Sequence, residues 1–265
     1  MSVGEGAPHH RGPRVTIAAD AAELAPLAAR LLAAALIEAQ AEWRAATARS
    51  AARLTVALAG GTTPRDTYRA LARDAHVPWS ALAVLPGDER ALRPAHADSN
   101  LRLLRETLVV PGALRPEQLH APFAVDAALT ADGSVTDAEC KAALARLRSW
   151  LTAPLDLLLL GLGADGHVAS LFPGSTALAE RAPVALVDDG PSPHRRRLTL
   201  TPPALREARR VFVLAAGAAK APAVAAALQG RGPVEACPAR LVADAHWLLD
   251  RAAAAGLDPA RHPFP

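Results

Sequence analysis

The chain is poor in aromatic residues. Four Trp, four Phe and one Tyr amount to 3% of 265 residues, although 51% of the chain is apolar. Much of that apolar content is alanine, so the core is expected to be aliphatic, with closely packed helices. Cysteine is nearly absent. Cys140 and Cys237 stand far apart, the pattern of reduced structural thiols in a cytoplasmic protein. No histidine or cysteine cluster has metal-ligand spacing. Neither a basic block nor aromatic–basic interleaving occurs, which argues against nucleic acid, and a net charge of +3 mildly favours an anionic ligand. No apolar run is long enough to span a membrane. Residues 1–13, with Gly4, Gly6, Pro8, His9, His10 and Pro13, hold no signal-peptide core and read as a flexible tail. Residues 14–265 carry no repeat or clear linker, and read as one domain.

What is present is alternation. Apolar runs at 14–18, 53–58, 82–85, 155–160, 183–187, 195–201, 210–216 and 246–250 predict strands, and 237–242 resembles a further short one. Helices are expected between most of them: Asp20 capping an alanine-rich helix that ends near Arg49, Pro64 opening another, Asp98 or Ser99 capping a third, and Thr136–Trp150 as an amphipathic fourth. Such alternation predicts an α/β fold, a largely parallel sheet with helices on both faces.

Four strand-to-loop junctions carry polar groups. After the second strand, Gly60-Gly61-Thr62-Thr63-Pro64 combines a backbone open to close approach, two hydroxyls and a helix N-terminus, which suits a phosphate; a tight turn with a helix cap is the plainer reading. After the third come Asp88-Glu89-Arg90, by default a solvated turn, with Arg90 able to grip a phosphate through two bonds. Asn100 falls in the first turn of the next helix. Leu155–Leu160 feeds Gly161-Leu162-Gly163-Ala164-Asp165-Gly166-His167. That loop matches a dinucleotide-binding pattern, but Pro173 and Gly174 stop the helix such a site requires. Later, Gly217-Ala218-Ala219-Lys220 opens one more helix.

Together, and at these separations, the Gly60–Pro64 loop, Gly87–Arg90 with Ser99-Asn100, Gly161–His167 with Ala169–Gly174, and Arg197-Leu198-Thr199-Leu200-Thr201 closely resemble the 6-phosphogluconolactonase family. The likeness runs on through Gly217, Lys220 and Trp247–Asp250. The resemblance implies the fold of glucosamine-6-phosphate deaminases and ribose-5-phosphate isomerases, a parallel α/β domain with a smaller β-containing lobe. It implies hydrolysis of 6-phosphoglucono-1,5-lactone in the pentose phosphate pathway, without metal or organic cofactor, on a phosphosugar substrate and in the cytoplasm. Monomer is the favoured state. His167 is then the base and later the acid, with Asp165 orienting it or stabilising its charged form, against the plainer reading of a turn former. Amides of the Gly161–Gly166 loop, Gly163 among them, are candidate oxyanion donors. Phosphate falls to Gly60, Gly61, Thr62, Thr63, Arg90, Arg197 and Lys220, with Arg195 and Arg196 as competitors for the place of Arg197. Asp88 and Asn100 shape the pocket.

Two departures from the family pattern, Cys140 and Arg240, concern packing away from the chemistry. A glucosamine-6-phosphate deaminase is the nearest rival, but it carries tyrosine where this chain has Arg90, and an acid where this chain has Ser170-Leu171-Phe172. A non-catalytic phosphosugar sensor is expected to lose His167 and to gain a DNA-binding or partner module.

Overall fold

The computed structural model describes residues 13–46, 53–131 and 133–260. The expected tail lies outside the described residues apart from Pro13, as do His9, His10 and Arg49. In chain order the elements are β1 (Arg14–Ala18), α1 (Ala21–Ala46), β2 (Leu54–Leu58), α2 (Thr63–Leu71), β3 (Leu82–Pro86), β4 (Asp88–Arg90) and α3 (Asn100–Leu104). They continue with α4 (Asp137–Trp150), β5 (Leu157–Gly161), β6 (Val184–Val187), β7 (Arg197–Leu200), α5 (Pro202–Glu207), β8 (Val211–Ala215), α6 (Ala221–Leu228), β9 (His246–Asp250) and α7 (Arg251–Ala254).

Six strands form a parallel sheet in the order β1-β9-β8-β5-β2-β3. The apolar runs are continuous because both faces are covered. In β5, Leu157 and Leu159 join the core under α1, α2 and α3, while Leu158 and Leu160 join the core under α4 to α7. All four are buried, each contributing about 1.5–3 kcal/mol of transfer free energy. From β2 the connections run outward to β3, and from β5 outward through β8 to β9. The order therefore diverges between β2 and β5, and a crevice opens there at the carboxyl ends of the strands.

β4, β7 and β6 make a second, antiparallel sheet, which is the smaller β-containing lobe. Residues 88–90 are not the solvated turn their charges suggest. Gly87 hands the chain from one sheet to the other: its N–H donates to the Leu58 carbonyl at 2.9 Å and its own carbonyl accepts the Leu200 N–H at 3.0 Å. Leu198 and Leu200 of β7 share a core with Leu158 and Leu160, so the two sheets close on one another.

Most boundaries agree with the pattern. Asp20 caps α1 through the Glu23 N–H, and Ser99 rather than Asp98 caps α3. One expected strand fails. Pro238–Val242 forms a 3-10 turn, not a strand; Pro238 lacks an N–H for a ladder, and the Ala239 N–H is taken by the Gly166 carbonyl. As expected, no helix opens at Gly166, where the chain makes tight turns through Gly174, so the dinucleotide pattern is incidental. Both family departures are accommodated: Cys140 is fully buried, and Arg240 donates to the carbonyls of Ala226 and Pro233.

Candidate active site

One cleft at the carboxyl edge of the parallel sheet collects the polar junctions. β2 delivers Gly60, Gly61, Thr62 and Thr63, and β4 delivers Asp88 and Arg90. Asn100 opens α3, β5 leads to Gly163 and His167, β7 begins at Arg197, and Lys220 precedes α6. Of the residues expected at the site, Asp165 alone is not part of the cleft wall; it stands behind His167.

Asp165 Oδ1 lies 2.6 Å from His167 Nδ1 and also accepts the His167 N–H at 3.2 Å. Burial pushes the Asp165 carboxyl up, but the charge and hydrogen bonds of His167 outweigh it and hold the group below its ordinary range. An ionised carboxylate on Nδ1 fixes the ring's orientation and leaves Nε2 as the nitrogen available for chemistry. The loop that presents this pair is tightly closed. The Gly163 N–H donates to the His167 carbonyl at 2.9 Å, and the Gly166 N–H donates to the Gly163 carbonyl at 3.1 Å. Those two amides, expected as oxyanion donors, are therefore already engaged. Glycine at 163 has a steric cause: a Cβ there would lie 2.0 Å from His167 Nδ1. Ala169, just beyond, holds a left-handed φ of 50° at the cleft wall, a strained conformation for a residue with a side chain.

Arg90 and Arg197 are direct cross-strand partners in the β4–β7 ladder, and both face the cleft. Like charges opposite one another repel, and the neighbouring Asp88 offsets part of that repulsion at Arg197. Backbone carbonyls hold the two groups in place. Arg90 Nη1 donates to the Asp98 carbonyl at 2.5 Å, and Arg197 Nε donates to the His194 carbonyl at 3.0 Å. Arg90 Nε is buried with no partner. The guanidinium of Arg197 lies 5.4 Å from the Phe172 ring centroid, and the His167 ring packs on the same phenyl at 4.7 Å. Burial lowers the Arg197 pKa, Asp88 pulls it back, Arg90 lowers it further and Glu89 opposes that. Among the three neighbouring arginines the register is clear: Arg196 pairs with Asp188 and Asp137, and Arg195 reaches the Asp188 carbonyl.

Asp88 and Asn100 both line the cleft and are bonded to one another. Asn100 Nδ2 donates to the Asp88 carbonyl at 2.7 Å and to its carboxylate at 3.1 Å, while the Ser170 hydroxyl donates to the other carboxylate oxygen at 2.6 Å. Asn100 leaves no room for a side chain at residue 60, where a Cβ would lie 1.8 Å from its Oδ1.

Several supporting residues escaped the sequence reading. Glu89 is buried, and its carboxylate accepts the N–H groups of Arg90, Asn100 and Leu101 and the Ser99 hydroxyl at 2.7–3.0 Å. Three of these donors belong to the start of α3, so Glu89 anchors Asn100 there. Tyr68, the sole tyrosine, donates to the Ala59 carbonyl at 2.7 Å and fixes the start of the Gly60 loop. Asp250 caps α7 and holds the Gly217 N–H at 3.0 Å, steadying the turn before Lys220. Asp250 and Glu89 stood within recognised runs but without a role of their own; Tyr68 offered only an aromatic within an expected helix.

Fold and site together define a class: a parallel α/β protein with a cleft lined by Arg90, Arg197 and Lys220 at the switch point of its sheet, and a histidine–carboxylate pair beside it. Residues 20–249 match the family described as Glucosamine-6-phosphate isomerases/6-phosphogluconolactonase. The chain belongs to that family. It is 36% identical over 262 residues to a 6-phosphogluconolactonase of Streptomyces coelicolor, spanning 95% of this chain and 97% of that protein. A 6-phosphogluconolactonase of Synechocystis is 36% identical over 208 residues, 77% of this chain and 85% of that protein. Among solved structures, the 6-phosphogluconolactonase of Trypanosoma brucei superposes with a TM-score of 0.78 at 29% identity, covering 93% of this chain and 99% of that one.

Proposed function

We propose that the chain hydrolyses 6-phospho-D-glucono-1,5-lactone to 6-phospho-D-gluconate, a step of the pentose phosphate pathway. The observation that carries this reading is the Asp165–His167 pair, 2.6 Å apart, on the same cleft as the facing arginines Arg90 and Arg197. Arg90, Arg197, Lys220 and the Gly60–Thr63 loop at the start of α2 hold the 6-phosphate. Thr62 makes no side-chain cap to α2, so its hydroxyl is free for the phosphate.

Phosphate binding at that end sets the lactone carbonyl against His167. His167 Nε2 takes a proton from water as its oxygen bonds to the carbonyl carbon, giving a tetrahedral oxyanion. The oxyanion collapses, the bond from that carbon to the ring oxygen breaks, and His167 returns the proton to the departing oxygen. Asp165 stabilises the imidazolium between the two transfers. Asp88 and Asn100 shape the wall against the sugar.

Freshly made lactone, with acid release followed against the spontaneous rate, tests the reaction, with ammonia release from glucosamine-6-phosphate measured in parallel. Lactone turnover is expected, and His167→Ala should lower kcat by about 10²–10⁴. Spontaneous-rate kinetics would sink the reading, and ammonia release would favour the deaminase. A cytoplasmic monomer is the accompanying expectation. Two buried, unpaired cysteines support a reducing compartment, and no helix among the described residues is long and apolar enough to cross a membrane.

A further inference from the structure

His96, Asp98 and His194 lie outside the chemistry described above, yet the fold brings them together from two loops, one before α3 and one before β7. His194 Nε2 stands 2.9 Å from Asp98 Oδ2, His96 Nδ1 stands 3.9 Å from the same oxygen, and all three ligand atoms fall within 4.8 Å of one another. A tetrahedral ion bonded at about 2.0–2.2 Å needs ligand atoms about 3.4 Å apart, midway between the two separations observed. The side chains are exposed or half-buried, so they can adjust and leave a coordination position open to water.

We propose that His96, Asp98 and His194 form a binding site for a borderline divalent ion of the Zn²⁺ or Co²⁺ type. Two imidazoles and a carboxylate are the donor set such ions favour. Binding replaces two present contacts: the His194–Asp98 hydrogen bond and the Asp98 N–H donation to His96 Nδ1 at 3.1 Å. The neighbouring Arg90 guanidinium, bonded to the Asp98 carbonyl, opposes the cation and keeps the site weaker than a buried structural one. The consequence reaches the cleft, because the carbonyls of Asp98 and His194 are the ones that hold Arg90 and Arg197. An ion tying the two loops braces both arginines.

The test starts from the full chain carrying His9→Ala and His10→Ala, which removes that adjacent histidine pair as a competitor. Titration with Co²⁺, followed by its visible absorption, should show one ion bound per chain. His96→Ala, Asp98→Asn and His194→Ala should each weaken uptake about tenfold or more, and Zn²⁺ should raise the melting midpoint of the parent but not of these variants. Absence of uptake, or equal uptake by parent and His194→Ala, overturns the proposal. Neither readout involves substrate, so this result stands apart from that of the lactone assay. Where turnover is seen, Zn²⁺ should lower KM in the parent with kcat unchanged and leave KM alone in His194→Ala; an unmoved KM in the parent overturns the link to the arginines.

Discussion

Gly163→Ala is the sharpest available test of the Asp165–His167 pair. The added methyl would stand 2.0 Å from His167 Nδ1, 2.3 Å from its Cε1 and 2.4 Å from Asp165 Oδ1. The two polar atoms it overlaps are the ones that form the 2.6 Å contact. Relief therefore requires the ring and the carboxylate to move by about an ångström, and displacement on that scale costs about 10²-fold in rate. That corresponds to about 2.7 kcal/mol of lost transition-state stabilisation. Residue 163 has no left-handed backbone, so the substitution adds contact and not backbone strain. Steady-state hydrolysis of fresh lactone should show kcat falling about a hundredfold while KM moves little, since the three atoms nearest the methyl all belong to His167 and Asp165. Gly161→Ala, whose Cβ would meet nothing within 4 Å, is the control and should leave the melting midpoint unchanged. A Gly163→Ala enzyme that folds and keeps kcat within about threefold of the parent would refute the dependence of catalysis on this contact.

Gly60→Ala drives a methyl to 1.8 Å from Asn100 Oδ1 and should eject that side chain from Asp88. The expected cost is about 1–3 kcal/mol, read as a higher KM with a smaller loss of kcat; an unchanged KM would mean that Asn100 does not set the pocket wall. Burial pushes the Glu89 carboxyl up from 4.5 to about 7, against the pull of the Leu101, Asn100 and Arg90 N–H groups. The native state then holds this proton more tightly than the unfolded chain, so the contribution is full below pH 4.5 and is lost as pH rises through 7, about 3 kcal/mol in all. Urea denaturation from pH 4.5 to 8 should show that slope in the parent and its removal in Glu89→Gln; parallel slopes would contradict it. His246 behaves in the opposite sense. Burial, aided by Arg14, lowers its pKa from 6.5 to about 4, so stability present above pH 6.5 is lost as pH falls through 4. Acid titration followed by circular dichroism should show His246→Gln losing less stability over that interval than the parent.

Much of the fold was legible along the chain, because its signals are local. A strand buried on both faces needs an unbroken apolar run, as in Leu157–Leu160, and a helix start needs a cap, as Asp20 and Ser99 supply. The junction loops were legible for the same reason: Gly60–Thr63 and Asp165–His167 carry their glycines, hydroxyls and titratable groups on neighbouring residues. Sequence alone thus determined the α/β class, the strand-to-loop positions of the chemistry and the histidine that stands beside an acid.

Tertiary structure decided the rest, wherever the partner lies far along the chain. Arg197 was separated from Arg195 and Arg196 only by its antiparallel register with Arg90. Glu89 looked like a solvated charge until α3 closed over it and supplied two N–H donors. The engagement of the Gly163 and Gly166 amides depends on which way the loop closes, and His194 meets Asp98 across 96 residues. Periodicity and turn chemistry record what a residue does with its neighbours in sequence. Which charge becomes buried, and which two arginines face one another, follow from α3 closing over β4 and from the β4–β7 register.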